Sequence, residues 1–589
     1  MLALLLAAPG CAGGHDGTLT PAANTPGQKG TAVFRITIPK APSLPTARTR
    51  TPKYISFSTK AMTLAISGPT NVNQTVALTP TSPNCSSTAS GTQCTLNISL
   101  LRGNYTATLN TYDGFNSGTG MATGNVLSTG QNLAFTINQG QVNSIALTLS
   151  GIPKSMVVLP SSPLGVVNAA NSFHLVGAGA HPFQVAVLDA DGNAIVGAGA
   201  PTFTIGAPTG SLGATAQQPL PASPNTFNLT PPSTFTSGTS TFAVNATYTG
   251  QPTDGCAQPG AVCSVSISVD MQEAVVVAWC GKCATGTDSV KIYPDGSNVE
   301  LTTISSSSLI NTPKNVVTDA SGNIYVYNAA SDSVQELLAP NFTSGPTYGG
   351  GGSVMAIGPD GKLYIVDRDN NSDRIFVYQP PSNTAIASLD PSGGNFSVPE
   401  AFAFASNGDI WFTDSYNQFI YKYSAPLTSS STPAVTLGGL GVPAAMAIDP
   451  TGNLFIANEQ DYTINKFATP QTTGESRTSI NYNPQSPRAL ASDASGNLYY
   501  YVWPSTEPPA PTQLVEITSA FTGHSAGLQI TADDETAVTQ LDHVAISATG
   551  VYTLNRSTSP SVFEANFALT TGTTITNGGV QPWGIAVEP

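Results

Sequence analysis

The chain has 589 residues, 40% of them apolar and only 9% charged, with a net charge of −14. Ordinary soluble domains carry about 25% charged residues; here Ser, Thr, Asn, Gln, Gly and Pro supply the polar surface, the style of extracytoplasmic all-β proteins. The acidic balance excludes a nucleic-acid partner, since nothing neutralises phosphates. Alternating apolar runs argue against disorder.

The chain opens on MLALLLAAPGCAGG. A short apolar run ending in small residues before a Cys resembles a bacterial lipoprotein signal. Residues 1–11 are expected to be that signal, with Ala8-Pro9-Gly10-Cys11 as lipobox and Cys11 as the lipidated residue; a plain secretory signal or a chance apolar start is the alternative. Residues 12–30 read as a polar tether. No run of 18 apolar residues follows, so membrane contact is expected through a lipid anchor alone. Six further cysteines lie in three close pairs, Cys85/Cys94, Cys256/Cys263 and Cys280/Cys283. Local pairing is the most economical of their connectivities, and disulfides imply an oxidising compartment: the bacterial envelope or outside the cell.

Residues 31–150 read as short strands such as TAVFRITIP, CTLNISL and NYTATLNTYD, separated by turn residues at the spacing of a β-sandwich. LLRGNYTATLNTYDG is similar to a late hairpin of bacterial immunoglobulin-like or carboxypeptidase-regulatory-like domains. Residues 152–270 form a second such unit. FQVAVLDADGNAIVGA alternates and then turns at Asp191-Gly192-Asn193, and resembles a strand pair of invasin-type Ig-like domains. Asp189 and Asp191 are read as turn formers in preference to calcium ligands.

Residues 271–589 repeat. NVVTDASGNIYVYN, VMAIGPDGKLYIVD, AFAFASNGDIWFTD, AMAIDPTGNLFIAN, ALASDASGNLYYYV and VAISATGVYTLN share one pattern, with glycines at 322, 361, 408, 452, 496 and 550. A period of about 40 to 50 residues with four strands per unit is that of a β-propeller. Asp319, Asp449 and Asp493 open turns that the glycines complete. A small residue precedes each glycine by five, and an aromatic (Tyr325, Tyr364, Trp411, Phe455, Tyr499) follows most of them by three. A seventh inner strand, PWGIAVEP, lacks its partners downstream. EAVVVAWCGKCATGTDSVKIYP aligns with the second and third strands of the next copy, so the two ends are expected to share one blade. The expected fold is thus all-β: two Ig-like β-sandwich domains, then a seven-bladed β-propeller closed by pairing of its N- and C-terminal strands.

NGDIWFTDSYNQFIYKYS resembles the NHL-type propellers, and most closely the streptogramin lyase (virginiamycin B lyase-like) group. That likeness covers roughly the last 320 residues and implies a propeller fold. Members of the group eliminate a proton with a His/Glu set and a magnesium ion; this region has only His524 and His543 and no Glu-x-His, so those residues do not carry over.

Residues that repeat in every blade build the blade; those that vary at an equivalent position can serve a ligand. Asn328, Asp367, Asp414, Asn458 and Asn555 end second strands and are read as turn caps. Residues 367–373, DRDNNSD, resemble an acidic calcium loop, with Asp367, Asp369 and Asp373 as ligand candidates. No cofactor is firmly implied beyond a divalent cation, calcium or magnesium. The residue entering each inner strand varies: Lys314, Ser353, Glu400, Ala444, Arg488, Asp542 (with His543) and Trp583. Of these, Lys314, Glu400, Arg488, Asp542, His543 and Trp583 are the ligand-binding candidates, and no catalytic residue is assigned. Trp279-Cys280-Gly281-Lys282-Cys283 resembles a thioredoxin motif, but no helix follows it to lower a thiol pKa, so Cys280/Cys283 reads as a loop-pinning disulfide, with redox exchange and metal binding as alternatives. These features point to a binding or interaction protein at the cell surface, its partner a glycan, a peptide or another envelope protein. The alternative is a propeller lyase or lactonase-like enzyme acting through His543.

Overall fold

The computed structural model describes residues 28–40, 55–147, 149–195, 200–217, 224–247, 262–283, 286–351, 354–367, 373–390, 399–481, 486–503, 513–523, 528–529, 543–556, 560–578 and 580–588. Cys11, Cys256, Ser353, Asp369, His524 and Asp542 lie outside them. Among the described residues every regular element is a strand, as expected of a chain rich in β-branched residues and punctuated by Gly and Pro.

The chain divides into two compact units. The first holds Met1–Val157, Ala186–Thr202 and Ala246–Cys263. One of its sheets runs Cys85–Thr88, Gly91–Leu101, Lys29–Pro39, Val142–Ile145; another runs Val72–Ala77, Ala61–Ser67, Gly103–Asn116, Met121–Ile137, Ser150–Gly151. Alternation places Phe34, Ile36 and Leu100 of one sheet and Leu64, Ile66 and Leu109 of the other in a shared core. Cys85 stands directly opposite Cys94 in its hairpin and is bonded to it.

The second unit holds Val158–Val185, Phe203–Asn245 and Ser264–Pro589. Phe173, Phe183, Phe203 and Phe227 pack ring to ring in its first part. Beyond residue 272 the described strands form seven four-stranded antiparallel sheets. Six use consecutive strands, the first of them Pro313–Thr318, Ile324–Asn328, Ser333–Leu338, Thr343–Gly349. The remaining sheet runs Thr302–Ile304, Ser289–Pro294, Ala274–Cys280, Gln581–Glu588. Its last pair joins residues some 300 apart in sequence, with Ala274 opposite Glu588 and Cys280 opposite Gln581. This is a propeller-type arrangement.

Each repeated feature has a packing role. The aromatic faces the small residue directly across the hairpin: Val317 opposite Tyr325, Ala356 opposite Tyr364, Ala403 opposite Trp411, Ala447 opposite Phe455, Ala491 opposite Tyr499. All five aromatics are buried, and each joins a cluster containing strands of the following sheet. Tyr364, for example, packs in one cluster with Ile410, Phe412 and Tyr423. Tyr552 does the same with Val275, Val277 and Trp279 of the end-joined sheet, whose Val276 and Ala278 pack in turn with Val316 and Val326. Gly584 allows a backbone contact here: a Cβ on it would lie 2.8 Å from Asn315 Cα and 2.9 Å from Val316 N.

The sixth copy departs from the expected turn. Gly322, Gly361, Gly408, Gly452 and Gly496 have positive φ, but Gly550 already belongs to the strand Gly550–Asn555. Its turn is one residue shorter, and Ser547 Oγ, accepting from Thr549 N and Gly550 N, takes the place of the aspartate.

Candidate functional site

Lys314, Glu400, Ala444, Arg488, His543 and Trp583 are all half-buried. The strand register explains how several are aimed. Pro313 pairs with Asn328 and Asn315 with Tyr327, which leaves Lys314 as a bulge between them. Ala444 is the bulge between Pro443 and Ala445, and Trp583 between Pro582 and Gly584. A bulge adds one residue to one strand and re-aims its side chain. Proline at the preceding position donates no ladder hydrogen bond, which favours the irregularity just there. In the fifth copy the bulge falls one residue later, at Ala489, with φ 38.

The structure brings three of the candidates together. Lys314 Nζ lies 4.5 Å from the centroid of the Trp583 ring, and Arg556 Cζ lies 4.6 Å from the same centroid. His543 is beside Arg556: burial, and then the Arg556 charge, push its pKa down to about 4. His543 keeps some accessible surface while protein packs round it on most sides. Its ring is therefore neutral at pH 7. Trp583 Nε1 and His543 Nε2 are buried atoms without a hydrogen-bond partner among the described residues. Gln581 Nε2 donates to Arg556 O at 3.3 Å and ties the two chain segments to each other.

The other candidates have partners of their own. Arg488 forms an ion pair with Glu459. Glu400 N donates to Thr413 Oγ1 at 2.9 Å. Asp367 sits at the end of Leu363–Asp367 opposite Arg374; Asp369 is outside the described residues, and among those described no group of three or more His, Cys, Asp or Glu could hold a metal ion.

Arg556 and Glu459 were missed by sequence reasoning, though a signal existed. Both directly follow a second-strand Asx, after Asn555 and Asn458. The corresponding residues after Asn328, Asp367 and Asp414 are Ala329, Arg368 and Ser415, so this position varies as the inner-strand entry does. Proline pairs opposite that Asx (Pro313 with Asn328, Pro443 with Asn458), which places the two variable positions side by side. Two of the Asx residues hold backbone, Asp414 in the turn that follows it and Asn328 in the loop before its inner strand. Asn328 Oδ1 accepts from Asn311 N at 2.8 Å, and Asp414 Oδ1 accepts from Asn417 N at 2.9 Å.

Cys280 and Cys283 are bonded to one another. The loop they close borders this group, because Cys280 pairs with Gln581. Buried Asp288 fastens it further: Oδ1 accepts from Lys282 N at 3.0 Å and Oδ2 from Thr312 N at 2.7 Å. Cys263 is also disulfide-bonded, while Cys256 lies outside the described residues.

No family model matches the chain, and no curated protein matches it. Solved structures do. A functionally unknown protein from Desulfotomaculum acetoxidans is 14% identical with a TM-score of 0.42, over 54% of this chain and 98% of that one. A protein from Lactobacillus plantarum is 13% identical with a TM-score of 0.39, over 54% and 99%. The virginiamycin B lyase of Staphylococcus aureus is 12% identical with a TM-score of 0.33, over 45% and 84%.

Proposed function

We propose that this is an extracytoplasmic binding protein that presents a ligand face on a seven-bladed propeller. Residues 271–589 form the propeller, its ring closed by the Ala274–Cys280 and Gln581–Glu588 pairing, and Ig-like sandwiches at residues 31–150 and 152–270 precede it. A signal at residues 1–11 and lipidation of Cys11 would hold it at a bacterial envelope, with residues 12–30 as tether. The partner would be a glycan, a peptide or another envelope protein.

One observation carries the reading: the residue entering each inner strand varies between repeats, and at Lys314, Ala444 and Trp583 a bulge re-aims it. A residue needed only for packing repeats, as the small residue and its opposite aromatic do. The disulfides Cys85–Cys94 and Cys280–Cys283 suit the oxidising compartment.

The test is a screen of the full chain against glycan and peptide arrays, repeated with Trp583→Ala. A ligand bound by the native chain and lost in the variant is expected. Ligands found that bind equally well to Trp583→Ala would sink the assignment of this face. Turnover of a lactone or streptogramin abolished by His543→Ala, with the melting temperature intact, would establish the enzyme alternative. A neutral imidazole of pKa about 4 is a weak base, and general-base catalysis works best near the operating pH.

A further inference from the structure

Around Trp583 two cations, Lys314 and Arg556, lie against one indole ring. The whole chain carries 20 Lys and Arg against 34 Asp and Glu, so two cations on one ring run against its overall acidic balance. Lys282, Lys291, Lys362, Lys422 and Arg488 each pair with an Asp or Glu. Lys314 does not pair with one among the described residues; its ammonium sits over the Trp583 ring. Arg556 sits at the same ring and bears on His543.

We propose, building on the binding reading above, that this group binds an oxyanion of the ligand, a carboxylate, sulfate or phosphate, between Lys314, Trp583 Nε1 and His543. Trp583 Nε1, buried without a partner among the described residues, fits an acceptor-only ligand atom, and so does the Nε2–H tautomer of His543. Trp583 Nε1 can only donate, and a lysine ammonium can only donate. A neutral His543 can present an N–H at Nε2 without adding a third buried charge. Charge-assisted hydrogen bonds of this kind are roughly twice as strong as neutral ones. The bulge at Lys314 and the bulge at Trp583 put both side chains on adjoining inner strands, which Gly584 lets approach backbone to backbone. The cation–π contact holds the Lys314 ammonium in place before the ligand arrives, which lowers the ordering cost of binding. The arrangement does not require Arg556 to lack other partners; its charge raises the local potential.

The experiment titrates the full chain with succinate, sulfate and phosphate at constant ionic strength, with chloride as the control. Tryptophan fluorescence and melting temperature are the readouts. A saturable response to at least one of the three is expected, and the best of them identifies the group. Lys314→Gln should weaken its affinity about tenfold, the effect of one charged hydrogen bond, while Lys314→Arg should restore most of it. Trp583→Phe keeps an aromatic face for the cations but removes the indole N–H, and should weaken it several-fold. A response to chloride equal to that of all three probes, or an unchanged affinity in a folded Lys314→Gln, overturns the inference. If array ligands are lost with Trp583→Ala yet unaffected by Lys314→Gln, the oxyanion falls and the binding face stands.

Discussion

The same five-residue turn, Asp-x-x-Gly-Asn, occurs in both units of the molecule. In the first unit Asp189 Oδ1 accepts from Asp191 N and Asn193 N, at 3.0 and 2.9 Å. In the second, Asp319 Oδ1 accepts from Ser321 N and Asn323 N, at 2.9 and 3.0 Å. Gly192 and Gly322 have φ of 77 and 81. The difference lies in what the closing Asn does next. Asn323 Oδ1 accepts from Ala339 N, Asn453 Oδ1 from Thr469 N and Asn497 Oδ1 from Ser519 N, so each blade turn catches the end of its own third strand. Asn193 Nδ2 instead donates to Ser56 Oγ and Ser58 Oγ, more than 130 residues upstream. Local sequence thus dictates the turn in both places. The partner of its outward-facing amide comes from whatever chain the fold delivers there.

The largest expected effect concerns a group that only one of these turns has beside it. Glu588 is buried next to the Asp319 turn and accepts from Ala178 N at 3.0 Å. Burial pushes its pKa up to about 8, against weaker opposing help from that backbone hydrogen bond. A raised carboxyl pKa stabilises fully below the unfolded value and is lost as pH rises through the folded one. The second unit should therefore lose up to about 4 kcal/mol between pH 5 and 8.5, with Glu273, raised by burial to about 7, adding to the slope. Glu588→Gln should flatten most of this alkaline limb in pH-dependent calorimetry and leave the first unit's transition alone. An unchanged limb would mean that Glu588 is not the buried acid.

Gly322→Ala and Gly192→Ala separate conformation from packing. Both incur the left-handed cost, about 1 kcal/mol. At Gly192 a Cβ meets nothing within 4 Å, whereas at Gly322 it meets Glu588 Oε1 at 2.9 Å and Gly179 Cα at 3.3 Å. Gly322→Ala should cost about 3 kcal/mol and Gly192→Ala about 1, by denaturant titration. Gly361→Ala is the control inside the repeat: its Cβ also meets nothing within 4 Å, so it should behave like Gly192→Ala.

Removing one aspartate tests the turn itself. Asp449 accepts from Thr451 N, Thr451 Oγ1, Asn453 N and Asn453 Nδ2. Asp449→Ala should cost about 2 kcal/mol. Burial works against the Asp449 charge, but these hydrogen bonds outweigh it and hold the carboxyl below its ordinary range. Its contribution is therefore present above the ordinary aspartate pKa and lost as pH falls through the lowered one, so Asp449→Ala and native protein should converge in acid. Among the side-chain removals the smallest effect belongs to Cys280→Ser with Cys283→Ser: a bridge spanning 3 residues constrains the unfolded chain least, about 2 kcal/mol at most.

Much of the second unit was legible in the sequence because its signals are local and repeated. The turn, the small residue and the opposite aromatic all lie within about ten residues of one another, and copies about 40 to 50 residues apart repeat them. The sixth turn misled, since Gly550 aligned with the others while Ser547 had shortened the loop. The candidate site was only partly legible. Variation among repeats pointed to Lys314, His543 and Trp583, but Arg556 sat at a second variable position, and Arg488 turned out to pair with Glu459.

By itself the sequence determined the strands, the hairpin turns and the pairing of Cys280 with Cys283, because propensity, turn chemistry and short loop closure act over a few residues. Tertiary structure alone decided the rest. It set the bulges that aim Lys314 and Trp583, the burial that raises Glu588 and lowers His543, and the meeting of two cations on one indole. Those depend on chain segments hundreds of residues apart reaching the same place, and on the low-dielectric surroundings found only after they have packed.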